Sequence, residues 1–371
     1  MNKYLNDQAF MVEALQLARK GLYTTRTNPR VGCVVVKNGE IISRGYHLSP
    51  GKPHAEILAL NTVRDSSDTT LYVTLEPCSH HGKTPPCAEA LVAAKVARVV
   101  TAMRDPNPLV NGKGLEYLES HGIKTTTGIL EADAMELNKG FVKRMTQDRP
   151  YITVKSAISL DGKTALKSGE SKWISSDESR LDVQKLRARS CAIMTGIDTV
   201  LADDPSLTVR LSKEQLGIEN NIQQPKRVIL DTQLRISANA KTLQTSEDVI
   251  IYTCAKRNDK FAEIESNQVE IVNTERSNNN VNLQAVIIDL AKRGFNEVLV
   301  EAGSTLVGSL LKNHFVDEMI VYMAPHIMGH SSYGMAKLDF IESMQDRIEF
   351  EICQTRKVGR NLKLQLKPQY S

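Results

Sequence analysis

The chain has 371 residues, which is long for a single hydrophobic core and predicts two domains. Hydrophobic residues make up 41% of the chain and charged residues 24%, as in ordinary globular proteins. The formal net charge of +4 is weak support for nucleic-acid binding, which usually shows as a basic cluster. No apolar run reaches membrane-spanning length, and the first residues lack the apolar core of a signal peptide. We therefore expect a cytoplasmic protein without nucleic-acid or membrane partners.

The first half of the chain alternates between helical and strand patterns. An Asn38-Gly39 hairpin turn separates two of its strands. Such alternation predicts a layered α/β domain, and the polar stretch near residue 148 suggests a boundary between domains 1–147 and 148–371. Helices are predicted at 7–20, 55–63, 87–95, 115–120 and 132–145, and strands at 33–36, 40–46, 70–75, 97–103 and 123–127.

One histidine and two cysteines in this half form a candidate metal site. His54 would open a helix, Cys78 follows a strand, and Cys87 starts the next helix. One imidazole and two thiols suit a catalytic zinc, which has three protein ligands and an open fourth position. Glu56 is too close to His54 in sequence to complete the same tetrahedron comfortably, but it is well placed to transfer protons. We predict Zn²⁺ at these three ligands and Glu56 as the catalytic acid–base.

Two alternatives stay open around this site. His80 or His81 could supply a fourth ligand and make the zinc purely structural, although such a site has no use for Glu56. The polar, basic loop 79–86 could carry donors for an anion, or it could be an ordinary solvated connection. The other four cysteines lie in apolar stretches and are predicted to be reduced core residues: Cys33, Cys191, Cys254 and Cys353.

The second half also reads as α/β, without a familiar nucleotide motif. Gly162-Lys163-Thr164 lacks the earlier glycine of a P-loop, and no G-x-G-x-x-G lies between a strand and a helix. Helices are predicted at 177–190, 283–293 and 307–312, and strands at 150–157, 191–195, 227–230, 248–253, 297–300, 317–324, 349–353 and 361–366.

The motifs of the first half resemble the deaminase half of the bifunctional riboflavin-biosynthesis deaminase–reductase family. They are Asn28-Pro29-Arg30-Val31-Gly32, His54-Ala55-Glu56, the Pro77 to Cys87 run with eight residues between its cysteines, and Asp105-Pro106-Asn107. Zinc deaminases in general share the H-x-E and P-C-x-x-C elements, and the longer cysteine spacing is typical of this family. The resemblance implies a cytidine-deaminase-like, three-layer α/β/α domain. It also implies pyrimidine contacts at Asn28 and His47, and sugar-phosphate contacts at His80, Lys83 and Asn107.

The second half resembles the reductase half of the same family, which is similar to dihydrofolate reductase in fold and uses NADPH. The matching segments are 154–163, 169–174, 201–210 and 300–303. The resemblance implies two sets of site residues. Cofactor contacts fall on Ala157, Trp173, Thr199, Asp203, Gly303, Ser304 and Thr305, and substrate contacts on Ser171, Arg187, Leu207, Arg210 and Glu301.

Several of these reductase residues also have ordinary structural interpretations. The turn 301–305 could bind phosphate at a helix N-terminus, or it could be a capped helix without a ligand. Arg187 and Arg210 suit a phosphate, but a lone arginine on a helix more often forms a surface salt bridge. Lys155 could reach the active site or the solvent, and Trp173 could be a core aromatic.

Taken together, the sequence predicts a two-step enzyme, acting on small phosphoribosyl-pyrimidines, that forms a homo-oligomer. The first domain would deaminate 2,5-diamino-6-(5-phosphoribosylamino)pyrimidin-4(3H)-one at zinc. The second would use NADPH to reduce 5-amino-6-(5-phosphoribosylamino)uracil to the ribitylamino product. A nucleoside or nucleic-acid deaminase and a zinc-stabilised binding protein remain as rivals.

Overall fold

The structure is a computed structural model that describes residues 3–79, 85–244, 248–266 and 268–370, with side chains from residue 6 onward. The chain divides into two compact units, residues 1–149 and 150–371. Within the described ranges, no helix is long and apolar enough to cross a membrane.

The first unit contains a five-stranded sheet of order β2-β1-β3-β4-β5. Strand β1 pairs antiparallel with β2 and β3, whereas β3, β4 and β5 run parallel. Its strands are β1 Gly32–Lys37, β2 Glu40–Tyr46, β3 Thr70–Leu75, β4 Arg98–Met103 and β5 Lys124–Thr126. Its helices are α1 Lys3–Arg19, α2 Ala55–Leu60, α3 Cys87–Ala93, α4 Lys113–Ser120, α5 Glu131–Leu137 and α6 Lys139–Gln147.

Two glycines show that helices cover both faces of this sheet. A Cβ on Gly32 would lie 2.0 Å from the Ala14 carbonyl oxygen, so α1 packs directly on that face. A Cβ on Gly45 would lie 2.2 Å from the carbonyl oxygen of Ala55, in α2. Gly45 pairs with Cys33, and Cys33 points away from the face of its neighbour Gly32 because successive strand residues alternate. Helices α1 and α2 therefore lie on opposite faces, which gives the predicted three-layer α/β/α arrangement.

The second unit is built on a nine-stranded sheet of order β11-β10-β9-β8-β14-β6-β15-β18-β17. Two small sheets, β12-β13 and β16-β7, lie outside it. The strands of the unit are β6 Tyr151–Ile158, β7 Lys163–Ala165, β8 Ala192–Gly196, β9 Lys226–Leu230, β10 Val249–Thr253, β11 Val269–Asn273, β12 Arg276–Ser277, β13 Asn280–Val281, β14 Glu297–Val300, β15 Glu318–Met323, β16 Tyr333–Gly334, β17 Glu349–Val358 and β18 Asn361–Gln369. Its helices are α7 Asp177–Arg189, α8 Ile197–Asp203, α9 Lys213–Leu216, α10 Asp259–Ile264, α11 Leu283–Lys292 and α12 Ser304–Lys312.

The seven strands from β11 to β15 run parallel, and β18 and β17 add an antiparallel edge. Strand β14 lies between β8 and β6, so the carboxyl ends of these three strands are neighbours. In open α/β sheets, ligands bind outside such strand ends, where the strand order reverses. The topology therefore gathers the segments that follow residues 158, 196 and 300.

Three predictions need correction. The helix predicted at 132–145 is two helices, α5 and α6, which meet at Asn138. The segment that follows β8 forms α8, which the sequence pattern did not indicate. Finally, Cys33 and Cys191 are buried as expected and the half-buried Cys254 packs against the core, but Cys353 is exposed on β17 and is not a core residue.

Candidate active sites

The three predicted metal ligands converge in the first unit. Their ligand atoms all lie within 4.8 Å of one another. The Nδ1 of His54 is 3.2 Å from the Sγ of Cys87 and 3.6 Å from the Sγ of Cys78. His54 directly precedes α2, Cys87 begins α3, and Cys78 follows β3, so rigid elements fix all three.

These positions fit a tetrahedral zinc site. Bonds of about 2.05 Å to nitrogen and about 2.3 Å to sulfur at tetrahedral angles require nitrogen–sulfur separations of about 3.5 Å, close to the two distances above. Hydrogen bonds from Cys87 and His54 lower the pKa of the Cys78 thiol despite its burial, and the same contact with Cys78 raises the pKa of the Cys87 thiol. Thiolate and imidazole are the donors that zinc prefers. Among the described residues, the cluster does not include Glu56, so its carboxylate is not one of the candidate ligands.

Glu56 lies in the first turn of α2, two residues after His54. Its side chain is 4% exposed, and burial raises the pKa of its carboxyl, although His54 acts in the opposite direction. A carboxyl with a raised pKa can both accept and return a proton near neutral pH. This position is therefore suited to acid–base chemistry beside the ligand cluster.

A cavity of about 280 Å³ opens next to these residues. Its walls include His54, Glu56 and Cys78, together with the predicted pyrimidine and sugar-phosphate contacts Asn28, His47 and Asn107. The Nδ2 of Asn28 is 3.0 Å from the Nε2 of His47, so these two polar groups form one wall. The remaining predicted contacts, His80 and Lys83, lie outside the described residues.

The cavity also contains residues that the sequence analysis did not assign. Asp105 is 7% exposed, and burial together with the charge of Glu76 raises the pKa of its carboxyl to about 7. Phe141 and Arg144 reach the cavity from α6. Asp105 lies within a motif quoted for the family resemblance and could have been assigned, whereas nothing in the local sequence indicates the two residues of α6.

Asn138 explains how α6 and the Asn28 loop are held together. Its Oδ1 accepts a hydrogen bond of 2.7 Å from the backbone nitrogen of Arg30, and its Nδ2 donates to the Arg30 carbonyl at 2.9 Å. The Arg30 guanidinium also donates to the carbonyl of Leu137 at 2.7 Å. The buried Asn138 thus pairs with Arg30 like a neighbouring strand, at the point where α5 ends and α6 begins.

In the second unit, predicted cofactor residues collect at the carboxyl ends of adjacent strands. Ala157 is near the end of β6, Thr199 and Asp203 lie in α8 directly after β8, and Gly303 precedes α12. A Cβ on Gly303 would be 4.0 Å from the Oγ1 of Thr199, which places these two segments side by side. Ser304 and Thr305 form the first turn of α12, whose backbone N–H groups suit a phosphate.

A charged cluster lies beside these strand ends. The Nε and Nη2 of Arg187 donate to the two carboxylate oxygens of Glu301 at 2.6 and 3.0 Å, and Nη1 donates to the Thr208 carbonyl at 2.9 Å. Burial would raise the pKa of Glu301, but the charges of Arg187, Lys155 and Arg210 outweigh it and hold the carboxyl ionised. Burial lowers the pKa of the Lys155 amine. Arg187 is therefore not a surface salt-bridge partner, and three cations around one carboxylate favour an anionic ligand.

The other predicted reductase contacts differ in exposure. Trp173 is 68% exposed, with the Arg180 guanidinium 4.4 Å from its ring centroid, so it is not a core aromatic. Leu207 is 3% exposed and packs in an apolar cluster, so a ligand there would meet its backbone. Ser171 is half-buried, and Arg210 is exposed, with its backbone nitrogen bonded to Gln184.

Two family models match different parts of the chain. The cytidine and deoxycytidylate deaminase zinc-binding region matches residues 5–103, and the RibD C-terminal domain matches residues 150–363. The first match contains all three candidate zinc ligands, and the second contains the Arg187–Glu301 pair.

Curated relatives and solved structures cover nearly the whole chain. The riboflavin biosynthesis protein RibD of Escherichia coli strain K12 is 44% identical over 368 residues, which is 98% of this chain and 99% of the relative. The protein of the same name from Aquifex aeolicus is 40% identical over 358 residues, which is 96% of this chain and 97% of the relative.

Among solved structures, Acinetobacter baumannii RibD superposes with a TM-score of 0.91 at 42% identity, covering 99% of this chain and all of that one. A Thermotoga maritima diaminohydroxyphosphoribosylaminopyrimidine deaminase/5-amino-6-(5-phosphoribosylamino)uracil reductase superposes with a TM-score of 0.87 at 32% identity, with the same coverage.

Proposed function

Since this chain belongs to the RibD family of bifunctional riboflavin-biosynthesis enzymes and combines a zinc-binding deaminase region with a reductase domain, we propose a division of labour between its two parts. Residues 1–147 deaminate 2,5-diamino-6-(5-phosphoribosylamino)pyrimidin-4(3H)-one. Residues 148–371 reduce 5-amino-6-(5-phosphoribosylamino)uracil. The observation that carries the proposal is the cluster of His54, Cys78 and Cys87 beside a cavity that His54, Cys78 and Glu56 line.

In the deaminase, the chain contributes ligands, a proton carrier and a shaped cavity. Zinc held by His54, Cys78 and Cys87 would supply a Lewis acid that makes water a nucleophile at neutral pH. Glu56 accepts a proton from the attacking water and returns it to the amine, which leaves as ammonia while the water oxygen replaces it on the ring carbon. Asn28 and His47 hold the pyrimidine against Glu56, and Asn107 extends toward the sugar phosphate.

In the reductase, the chain orients two anionic ligands. NADPH, the nicotinamide cofactor we propose, would supply the hydride for C1′ of the ribosyl chain. The first turn of α12, with Thr199 and Asp203 nearby, holds the cofactor. Arg187 and Arg210 bind the substrate phosphate, with Glu301 fixing the orientation of Arg187. The lowered pKa of Lys155 suits a proton donor beside the acceptor carbon. The cytoplasmic location and the homo-oligomeric state stay predictions from the sequence.

The decisive test is Glu56→Gln in the full chain. We expect ammonia release from the phosphoribosyl-diaminopyrimidine to fall by about 10²–10⁴-fold, the usual contribution of a general acid–base. Zinc content and NADPH-dependent reduction of the deaminated substrate should stay at wild-type values. Glu40→Gln, at an exposed glutamate of the β1–β2 hairpin, is the matched control. Full deamination by Glu56→Gln, or wild-type activity confined to cytidine or single-stranded DNA, would reject the proposal.

A further inference from the structure

The Glu76 side chain is a buried carboxylate that binds four backbone donors from a distant segment. It lies directly after β3, two residues before Cys78, and is 3% exposed. Its Oε2 accepts hydrogen bonds from the backbone nitrogens of Asp105 at 3.1 Å and Gly112 at 3.0 Å. Its Oε1 accepts from the backbone nitrogens of Gly114 at 2.9 Å and Leu115 at 3.4 Å. One side chain thus anchors segment 105–115 at both of its ends.

This anchor replaces a helix cap that the local sequence lacks. Gly112 is the residue before α4 and has no side chain with which to cap the helix. Gly114 and Leu115 are the second and third residues of α4, whose N–H groups a capping side chain normally binds. Glu76 supplies the acceptor oxygens from about 38 positions earlier in the chain. The start of α4 also touches the segment that follows β3, since a Cβ on Gly114 would lie 2.0 Å from the Pro77 carbonyl oxygen.

The anchored segment carries part of the deaminase cavity. Asp105 and Asn107 line the cavity together with Cys78 and Glu56. The Oδ1 of Asp105 accepts a hydrogen bond of 2.8 Å from the backbone nitrogen of Asn107, so the two residues move as one. Besides the pairing of β3 with β4, the hydrogen bond from the Asp105 nitrogen to Glu76 attaches them to the chain segment that carries Cys78.

We propose that Glu76 is a positioning residue of the deaminase site. Its carboxylate fixes segment 105–115 against the strand end that carries Cys78, so that Asp105 and Asn107 stand at a set distance from the metal ligands and from Glu56. This role rests on the proposed deaminase function of the first unit. Glu76 also lines the cavity, but both of its carboxylate oxygens accept hydrogen bonds from backbone nitrogens, so it acts through Asp105 and Asn107.

Glu76→Gln tests the role in the zinc-loaded full chain. The variant keeps the size of the side chain but turns one acceptor oxygen into a donor that faces backbone N–H groups. We expect amide hydrogen exchange in segment 105–115 to speed up by about tenfold or more, equivalent to one lost hydrogen bond. Exchange in α2 and zinc content should not change. The KM for the phosphoribosyl-diaminopyrimidine should rise by about tenfold to a hundredfold, with kcat changed far less.

Asp7→Asn is the matched control. Asp7 is also a buried carboxylate of the first unit, but it binds the hydroxyl of Tyr72 and the guanidinium of Arg98 and does not line the cavity. We expect this variant to lower thermal stability without changing the KM. NADPH-dependent reduction by the second unit serves as an internal measure of intact protein for both variants.

The outcomes separate the two proposals. A wild-type chain that does not deaminate this pyrimidine rejects the proposed function, whatever the variants do. Unchanged exchange in segment 105–115 of Glu76→Gln rejects the anchor. Suppose instead that exchange is faster in Glu76→Gln but its KM is unchanged, like the KM of Asp7→Asn. Glu76 would then be a purely structural cap, and the positioning role would be overturned.

Discussion

The two units build their sites in different ways. The proposed deaminase site takes its candidate metal ligands from one stretch of 34 residues, His54 to Cys87, and places them at the starts of two helices and shortly after the end of one strand. The proposed reductase site combines Lys155 of β6, Arg187 of α7 and Glu301 after β14, and the first and last of these are 146 positions apart. The first site is therefore defined by side chains that lie close together in the sequence, whereas the second is assembled by the strand order of the sheet.

The difference follows from what each ligand requires. A zinc ion fixes a few donor atoms at about 2 Å, so residue types and their spacing are tightly restricted. A dinucleotide or a sugar phosphate is bound largely by backbone N–H groups, helix N-termini and a field of charge, which many sequences can supply. Local motifs therefore reveal the first kind of site far more readily than the second.

Removal of zinc should give the largest difference between the activities of the two units. Dialysis of the full chain against a chelator should abolish deamination, because the three ligands would no longer hold a Lewis acid, and should leave NADPH oxidation with the uracil substrate intact. Metal content, ammonia release and absorbance at the nicotinamide band check this. Added zinc should restore deamination. Unfolding of the first unit without metal would instead indicate a structural zinc, and equal loss of both activities would contradict independent sites.

Arg210→Ala should have a smaller effect, confined to the second unit. Arg210 is exposed and contributes one of the three positive charges near Glu301. The KM for the uracil substrate should rise about tenfold to a hundredfold, as expected for lost hydrogen bonds to a charged group worth about 1.5–3 kcal/mol. Deamination, measured as ammonia release, should not change. A fall in both activities, or an unchanged KM, would contradict a phosphate-binding role.

Asp182→Asn should change stability rather than catalysis, with a characteristic pH dependence. Burial alone would raise the pKa of Asp182, but hydrogen bonds from Lys363 and Tyr322 outweigh it and lower the pKa. A lowered pKa stabilises the fold above the unfolded value near 4, and this contribution is lost as the pH falls through the folded pKa. Wild type should therefore be more stable than the variant by about 1–3 kcal/mol at pH 7, with the difference shrinking as the pH falls below about 4.

Thermal unfolding of the second unit at several pH values measures this difference. Asp259→Asn, at an exposed first-turn position of α10, is the control and should change stability by less than about 0.5 kcal/mol. A constant difference between wild type and Asp182→Asn at all pH values would show that the carboxylate charge has no part in it.

Strand positions and the clustering of His54, Cys78 and Cys87 could be predicted from the sequence because both depend on local patterns. The predicted bounds of β2 and β3 agree with the structure at both ends, since turn residues and β-branched runs delimit them. The break between α5 and α6 could not be predicted, because the side chain of Asn138 bonds to Arg30, more than a hundred residues away. The anchoring role of Glu76 could not be predicted for the same reason, since its four backbone partners come 29–39 positions later in the chain.

The pairing of Asn138 with Arg30 sets a lower limit on the size of a working deaminase. The zinc-binding family model ends at residue 103, yet α5 and α6 hold the loop that carries Asn28 and contribute Phe141 and Arg144 to the cavity. A fragment that ends at residue 103 would keep all three candidate metal ligands but would lose the cavity wall formed by α6. Gene splitting or domain grafting with this protein should therefore retain the chain through Gln147.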